Sequence, residues 1–187
     1  MNAIAQNLAS IVDESAICDW EHLSSIWQER INRTTEKFPN WLVYPNTVEE
    51  LASLITCAHN NIWSVLPCGN GSKLGWGGLT KEVDIVISTE RLNRVIDYAV
   101  GDLTVTVEAG VKLADLQNLL AKEHQFLPLD PAYPQEATVG GIVATADSGS
   151  WRQRYGGVRD MLLGISFVRS DGQIAKAGGR VVKNVAG

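Results

Sequence analysis

No block of lysine and arginine interrupts this sequence, and its net charge is −5, which argues against nucleic acid or an anionic membrane surface as a main partner. Cysteine is scarce: Cys18, Cys57 and Cys68 lie far apart and form no Cys-x-x-Cys pair or Cys/His cluster. That excludes a disulfide framework and a structural zinc site, and it suits a reducing compartment. Histidine is equally sparse. His22, His59 and His124 stand in helical or turn contexts away from the glycine motifs, so they read as surface or packing residues rather than catalysts. No apolar run is long enough to span a bilayer, and Met1-Asn2-Ala3-Ile4-Ala5-Gln6-Asn7 lacks the basic start and apolar segment of a signal peptide. The expected location is the cytoplasm, with any membrane association made through a partner. Internal repeats and low-complexity linkers are missing too. What remains, 45% hydrophobic residues over 187 positions, is the composition of a globular protein with room for one substantial core or two small lobes.

Glycine is where the sequence becomes specific. Pro67-Cys68-Gly69-Asn70-Gly71-Ser72-Lys73-Leu74-Gly75-Trp76-Gly77-Gly78 follows the strand-like run Ile62-Trp63-Ser64-Val65-Leu66. Glycine permits positive φ and close backbone approach, and successive N–H groups in such a turn form an anion-binding concavity. Two nucleotide loops are excluded by the order of residues. A P-loop needs Lys and then Ser or Thr directly after its second glycine, whereas Ser72 precedes Lys73 and Leu74 follows it. The dinucleotide fingerprint needs glycine where Leu74 stands, with a helix after it. A plain surface turn between two strands remains the alternative reading of the loop taken alone.

Around the loop, residues 1–40 read as an amphipathic helical segment, and Trp41 to Tyr44 as a short strand. Thr47-Val48-Glu49-Glu50 has the form of a capping box, opening a helix with Val48, Leu51, Leu54, Ile55 and Ala58 on one face. With the apolar run Val83 to Ile87, these make a β-α-β unit whose glycine loop lies at the carboxyl end of a strand, where open α/β sheets bind ligands. Leu103 to Glu108 alternates as a half-buried strand, and Leu113, Leu116, Leu119 and Leu120 mark a further helix. Thr138-Val139-Gly140-Gly141-Ile142-Val143-Ala144-Thr145-Ala146 predicts a tight turn opening a short helix, either beside a phosphate or simply packed closely on a sheet. Gly149 to Gly157 reads as a surface excursion. Met161 to Val168 and Gln173 to Ala177 flank Ser170-Asp171-Gly172, a hairpin signal. The final stretch, Gly178 to Gly187, ends without a closing helix or strand.

The order Cys68-Gly69-Asn70-Gly71-Ser72, Leu129-Asp130-Pro131, Thr138-Val139-Gly140-Gly141, Arg154-Tyr155-Gly156, hairpin, then Gly179-Arg180-Val181-Val182-Lys183-Asn184-Val185-Ala186-Gly187 resembles the FAD-binding domain of the vanillyl-alcohol oxidase/PCMH-type flavoproteins, and among them the FAD-binding subunits of glycolate oxidases. The resemblance runs from about Tyr44 to Gly187. It implies an α+β, two-lobed domain, with a small α/β lobe of about 41–100 and an antiparallel β lobe with helices of about 101–187, incomplete at its C-terminus, and FAD between the lobes. By the same resemblance Gly69, Asn70, Gly71 and Ser72 offer donors to the pyrophosphate, helped by Lys73. Thr138, Val139, Gly140, Gly141 and Ala144 line the cofactor, with Ser148, Gly149, Tyr155 and Gly156 beside it and Val185 near the adenine. Cys68, Leu74 and Pro131 complete the candidate contacts. Cys68 stands where this family often has arginine, and the loop lacks the histidine that carries covalent flavin in some members, so non-covalent FAD is expected. The implied activity is oxidation of 2-hydroxy acids such as glycolate or D-lactate, within a larger chain or a complex with other glycolate oxidase-type subunits. The alternatives are a non-catalytic FAD-binding module or an alditol or sugar-lactone oxidase. No catalytic residue is assigned, because substrate contacts in the resembling family come largely from a following cap domain.

Overall fold

The computed structural model describes residues 3–179, in two units divided after Leu92, with Val168–Ala175 returning to the first. Arg180 to Gly187, including the candidate contact Val185, lies outside the described residues.

The first unit runs through α1 (Ala3–Ala9), β1 (Ile17–Asp19), α2 (Ser25–Asn32), β2 (Trp41–Val43), α3 (Val48–Asn60), β3 (Val65–Cys68) and β4 (Ile85–Ser88). Its sheet has the order β1-β2-β4-β3, with β1 antiparallel to β2 and β4 parallel to both its neighbours. Side chains alternate between the two faces of a strand, and both faces here are covered. Val43, Ile85 and Ile87 pack with Leu8, Val12, Leu54 and Ala58 on the face of α1 and α3. Leu42 and Val86 pack with Leu23, Trp27 and Ile31 on the face of α2. Burial on both sides is why β4 reads as an unbroken apolar run rather than an alternating one.

Local chemistry sets the element ends. Thr47 Oγ1 accepts from the Glu50 N–H at 3.1 Å, while the Glu50 carboxylate reaches back to the Asn46 N–H at 2.7 Å, one residue earlier than a capping box requires. At the other end of α3, Trp63 N–H donates to the Ala58 carbonyl at 2.9 Å with Ile62 at φ +57°, the geometry of a left-handed helix cap. That cap uses the residues expected to open β3, so the strand begins at Val65. The N-terminal segment also differs from the all-helical expectation, since Ile17–Asp19 forms the edge strand of the sheet.

The second unit contains β5 (Val95–Ala99), β6 (Thr104–Val107), α4 (Leu113–Ala121), α5 (Val139–Thr145), α6 (Arg152–Tyr155) and α7 (Val158–Met161), with the greater part of β7 (Gly164–Val168) and of β8 (Ile174–Gly178), whose connecting turn belongs to the first unit. β5 and β6 pair antiparallel, and Leu116 and Leu120 of α4 pack on them together with Val111, which precedes the helix. α6 lies within the stretch expected as an irregular excursion. α7 takes the start of the run expected as one strand: Asp160 Oδ2 accepts from the Gly157 N–H at 2.7 Å and closes a helical turn there. The expected Asp-Gly hairpin joins β7 to β8, with Gly172 at φ +84°. Among the described residues no helix is long and apolar enough to cross a membrane.

Glu108 fastens the base of the β5–β6 hairpin. Its carboxylate accepts from the Arg94 backbone N–H at 2.7 Å and from Nε and Nη2 of the same arginine at 3.0 and 2.6 Å. These hydrogen bonds hold the Glu108 carboxyl below its ordinary value. The stabilisation is therefore complete above the unfolded glutamate pKa of about 4.3 and is lost as pH falls through the lower folded value. Glu108→Gln is expected to cost about 1 kcal/mol at pH 7, with the gap to the native chain shrinking below pH 4 in urea titrations; an equal gap at both pH values would show that the ion pair contributes nothing.

Candidate functional site

The glycine loop leaves β3 at Cys68, and its first three carbonyls are all taken by side chains of the same unit. Thr89 Oγ1 donates to the Cys68 carbonyl at 3.3 Å, Ser88 Oγ to the Gly69 carbonyl at 2.8 Å, and Arg30 Nη1 to the Asn70 carbonyl at 2.6 Å. There are no cis peptides among the described residues, and in a planar trans peptide the N–H of the next residue points opposite to the carbonyl. The N–H groups of Gly69, Asn70 and Gly71 are thereby aimed away from these three anchors. Ser88 and Thr89 are there because β4 runs parallel beside β3, pairing Cys68 with Ser88.

Gly71 has φ +73°. A side chain on it would meet α2: its Cβ would lie 2.8 Å from Cζ3 of Trp27 and 3.3 Å from Cδ of Arg30. The glycine expected for close ligand approach is thus required by backbone conformation and by the closeness of α2. Ser72 is half-buried, Lys73 is only 9% exposed, and the Lys73 ammonium lies 5.4 Å from the ring centroid of Trp76. Leu74 and Cys68 turn their side chains into the core beneath α2. Burial pushes the Cys68 thiol up to about 12, against a hydrogen bond to Ser88, so it is a neutral packing group at physiological pH. The set of backbone N–H groups, a buried ammonium and the nearby Arg30 guanidinium, with no carboxylate between Cys68 and Gly78, suits a phosphate-bearing ligand.

In the second unit the candidate residues gather around one small core of Leu113, Leu129, Ala137, Ile142 and Val158. Thr138 is buried and caps α5, its Oγ1 accepting from the Gly141 N–H at 3.2 Å. Val139 and Gly140 donate to the carbonyls of Val111 and Ala109, both at 2.8 Å, and a Cβ on Gly140 would lie 2.7 Å from that of Ala109. Close packing therefore accounts for Gly140 without a ligand. Ala144 is exposed on the same helix. Pro131 follows Asp130, whose N–H donates to the Ser148 carbonyl at 3.1 Å, and a Cβ on Gly149 (φ +68°) would lie 1.6 Å from the Asp130 carbonyl oxygen. Ser148 Oγ accepts from the Val158 N–H at 3.1 Å, and a Cβ on Gly157, next to Gly156 (φ +86°), would lie 3.6 Å from that oxygen. Tyr155 stands half-way out, in edge contact with Phe126 and Trp151. Thr138 to Gly141, Pro131, Ser148, Gly149 and Gly156 are thus brought together within this unit.

Sequence reasoning missed Arg30, Trp27, Ser88 and Thr89, which shape the glycine loop. The pair Ser88-Thr89 had a signal, two small polar residues ending an apolar strand beside the loop's own strand. Arg30 had none, being forty positions away from Asn70. Among the described residues no group of three or more His, Cys, Asp or Glu is placed to hold a metal ion.

Comparison with known proteins agrees with this chemistry. The family model described as FAD binding domain matches residues 39–178. The chain is 30% identical over 169 residues to a D-2-hydroxyglutarate dehydrogenase of Xanthomonas citri pv. viticola, covering 90% of this chain and 35% of that protein. It is 27% identical to glycolate oxidase subunit GlcD of Bacillus subtilis, covering 81% of this chain and 32% of that one. It is 32% identical to a D-lactate dehydrogenase of Anaerostipes hadrus, with 80% and 31% covered. The chain therefore spans about a third of the length of these relatives. Among solved structures, alkyldihydroxyacetonephosphate synthase superposes with a TM-score of 0.77 at 23% identity, over 99% of this chain and 39% of that chain. Berberine bridge enzyme does so with 0.75 at 19%, over 94% and 37%; at such identities the likeness shows the fold. The family match covers well over half of the chain, which accordingly belongs to the family of FAD-binding domains and has FAD as its cofactor.

Proposed function

We propose that this chain is the FAD-binding part of a flavoprotein that oxidises 2-hydroxy acids of the glycolate and D-lactate class. The supporting observation is the shared chemistry of the relatives' names: D-2-hydroxyglutarate, glycolate and D-lactate each carry a hydroxyl on the carbon next to a carboxylate. The isoalloxazine of bound FAD would supply the acceptor for the hydride equivalent leaving that carbon. The part of this chain is to hold and orient the cofactor. Gly69, Asn70, Gly71 and Ser72 take the pyrophosphate through backbone donors, Lys73 adds a buried positive charge, and Cys68 and Leu74 anchor the loop ends in the core. The remaining candidate contacts, Thr138, Val139, Gly140, Gly141, Ala144, Pro131, Ser148, Gly149, Tyr155, Gly156 and Val185, rest on the family resemblance.

Attachment is non-covalent in this reading, because the loop offers no histidine. The three free cysteines fit a cytoplasmic setting, and the glycolate oxidase subunit among the relatives supports assembly with further subunits of that kind.

The test is to load the purified chain with FAD and assay dye reduction with glycolate, D-lactate and D-2-hydroxyglutarate, alone and with candidate partner subunits. Reduction by at least one of these acids, with yellow colour released on acid precipitation, is expected. FAD uptake with no reduction under any condition would instead support a cofactor-holding module without turnover of its own.

Lys73→Met is expected to raise the Kd for FAD about tenfold, a loss of about 1.4 kcal/mol, measured by flavin fluorescence quenching. An unchanged Kd would remove Lys73 from the cofactor site.

A further inference from the structure

We propose that Arg30, on α2 and outside the residues matched to the FAD-binding domain, is a positioning residue for the pyrophosphate loop, holding and polarising the Asn70–Gly71 peptide so that its N–H is presented to the cofactor. This rests on the reading of the glycine loop as the pyrophosphate site. The geometry that carries it is local and specific. Arg30 Nη1 donates to the Asn70 carbonyl at 2.6 Å and lies 3.4 Å from the Asn70 side-chain oxygen. One turn earlier on the same helix face, Trp27 sets its ring 2.8 Å from where a Gly71 Cβ would stand. Trp27 and Arg30 together form a wall against which Asn70 and Gly71 are laid.

The chemistry follows from the peptide group itself. A cation hydrogen-bonded to an amide oxygen draws electron density from the nitrogen, so the N–H of that same peptide becomes a stronger donor. The peptide whose oxygen Arg30 holds has Gly71 as its nitrogen side. Arg30 thus acts on an anion in the loop through the orientation and donor strength of the Gly71 N–H, and its guanidinium, 2.6 Å from the Asn70 carbonyl, sets a positive charge beside the loop to oppose that of the Glu90 carboxylate. Both contacts to Asn70 come from the one nitrogen Nη1, so a charged donor at that place is what the loop requires. The aliphatic stem of Arg30 meanwhile fills space against Gly71, with Cδ 3.3 Å from the Cβ position.

The experiment compares Arg30→Met and Arg30→Lys in the full chain, with Kd values for FAD and for ADP, which shares the pyrophosphate but has no flavin. Arg30→Met is expected to weaken FAD and ADP by the same factor, tenfold or more, and to flatten the dependence of Kd on salt. Arg30→Lys is expected to recover most of that loss. A purely packing role predicts no rescue by lysine and no change in salt dependence, and either result overturns the proposal. Native-like FAD affinity in Arg30→Met overturns it as well. Should Arg30→Met not fold, Arg30→Gln, which keeps a donor for Asn70 and removes the charge, carries the same comparison; failure of both to fold would make Arg30 a residue of the fold and refute the assignment. Failure of the native chain to bind either FAD or ADP would overturn the underlying reading of the loop, an outcome distinct from a native chain that binds both and an Arg30→Met variant that binds them equally well.

Discussion

Three consecutive carbonyls held by three side chains are the constraint on which the site depends. Thr89, Ser88 and Arg30 fix the oxygens of Cys68, Gly69 and Asn70, and the trans geometry of the peptide then aims the following N–H groups. A glycine-rich loop left to itself would sample many such arrangements at an entropic cost to any ligand that selects one. The anchoring spends that entropy during folding instead, so the donors are already in place for the pyrophosphate contact proposed above. Two of the anchors come from the end of the central strand β4 and one from α2, so the sheet order β1-β2-β4-β3 and the cover of α2 over one face both bear directly on the loop.

The second unit uses glycine differently. Gly140 and Gly149 lie so close to Ala109 and Asp130 that a Cβ on either would collide with its neighbour, and Ser148, Thr138 and Asp160 spend their side chains on backbone N–H groups. These residues build a tightly stitched platform of turns and short helices around Leu129, Ile142 and Val158. Their side chains and several of their N–H groups are thereby committed to the protein itself. In both units these glycines are explained by contacts with protein.

What could be read from the sequence and what could not divides along the range of the interactions. The Thr47 cap of α3, the apolar run of β4, the Asp171-Gly172 turn and the short helix opened by Thr138 each carry their signal within a few residues, and each stands where expected. Ile62 departs from its expected strand because its left-handed cap conformation is made by α3 closing on itself, while the residue's own propensity favours a strand. Ile17–Asp19 carries no strand signal of its own, because an edge strand of three residues is too short to show alternation. Gly71 drew attention for a sound reason, but the object it makes room for is Trp27, a residue far back in the chain. Arg30 had no signal at all, since an arginine on a helix looks the same whether it faces water or a distant carbonyl.

The central claim is that the anchored loop presents the N–H groups of Gly69, Asn70 and Gly71 to the pyrophosphate of FAD. Amide proton and nitrogen shifts of the labelled chain, followed as FAD is added, test it most directly. The account predicts that these three amides shift downfield together and saturate with the flavin fluorescence change, as hydrogen bonds to phosphate form. FAD binding at full occupancy with the three amides unmoved would contradict it and put the cofactor's phosphates elsewhere on the molecule.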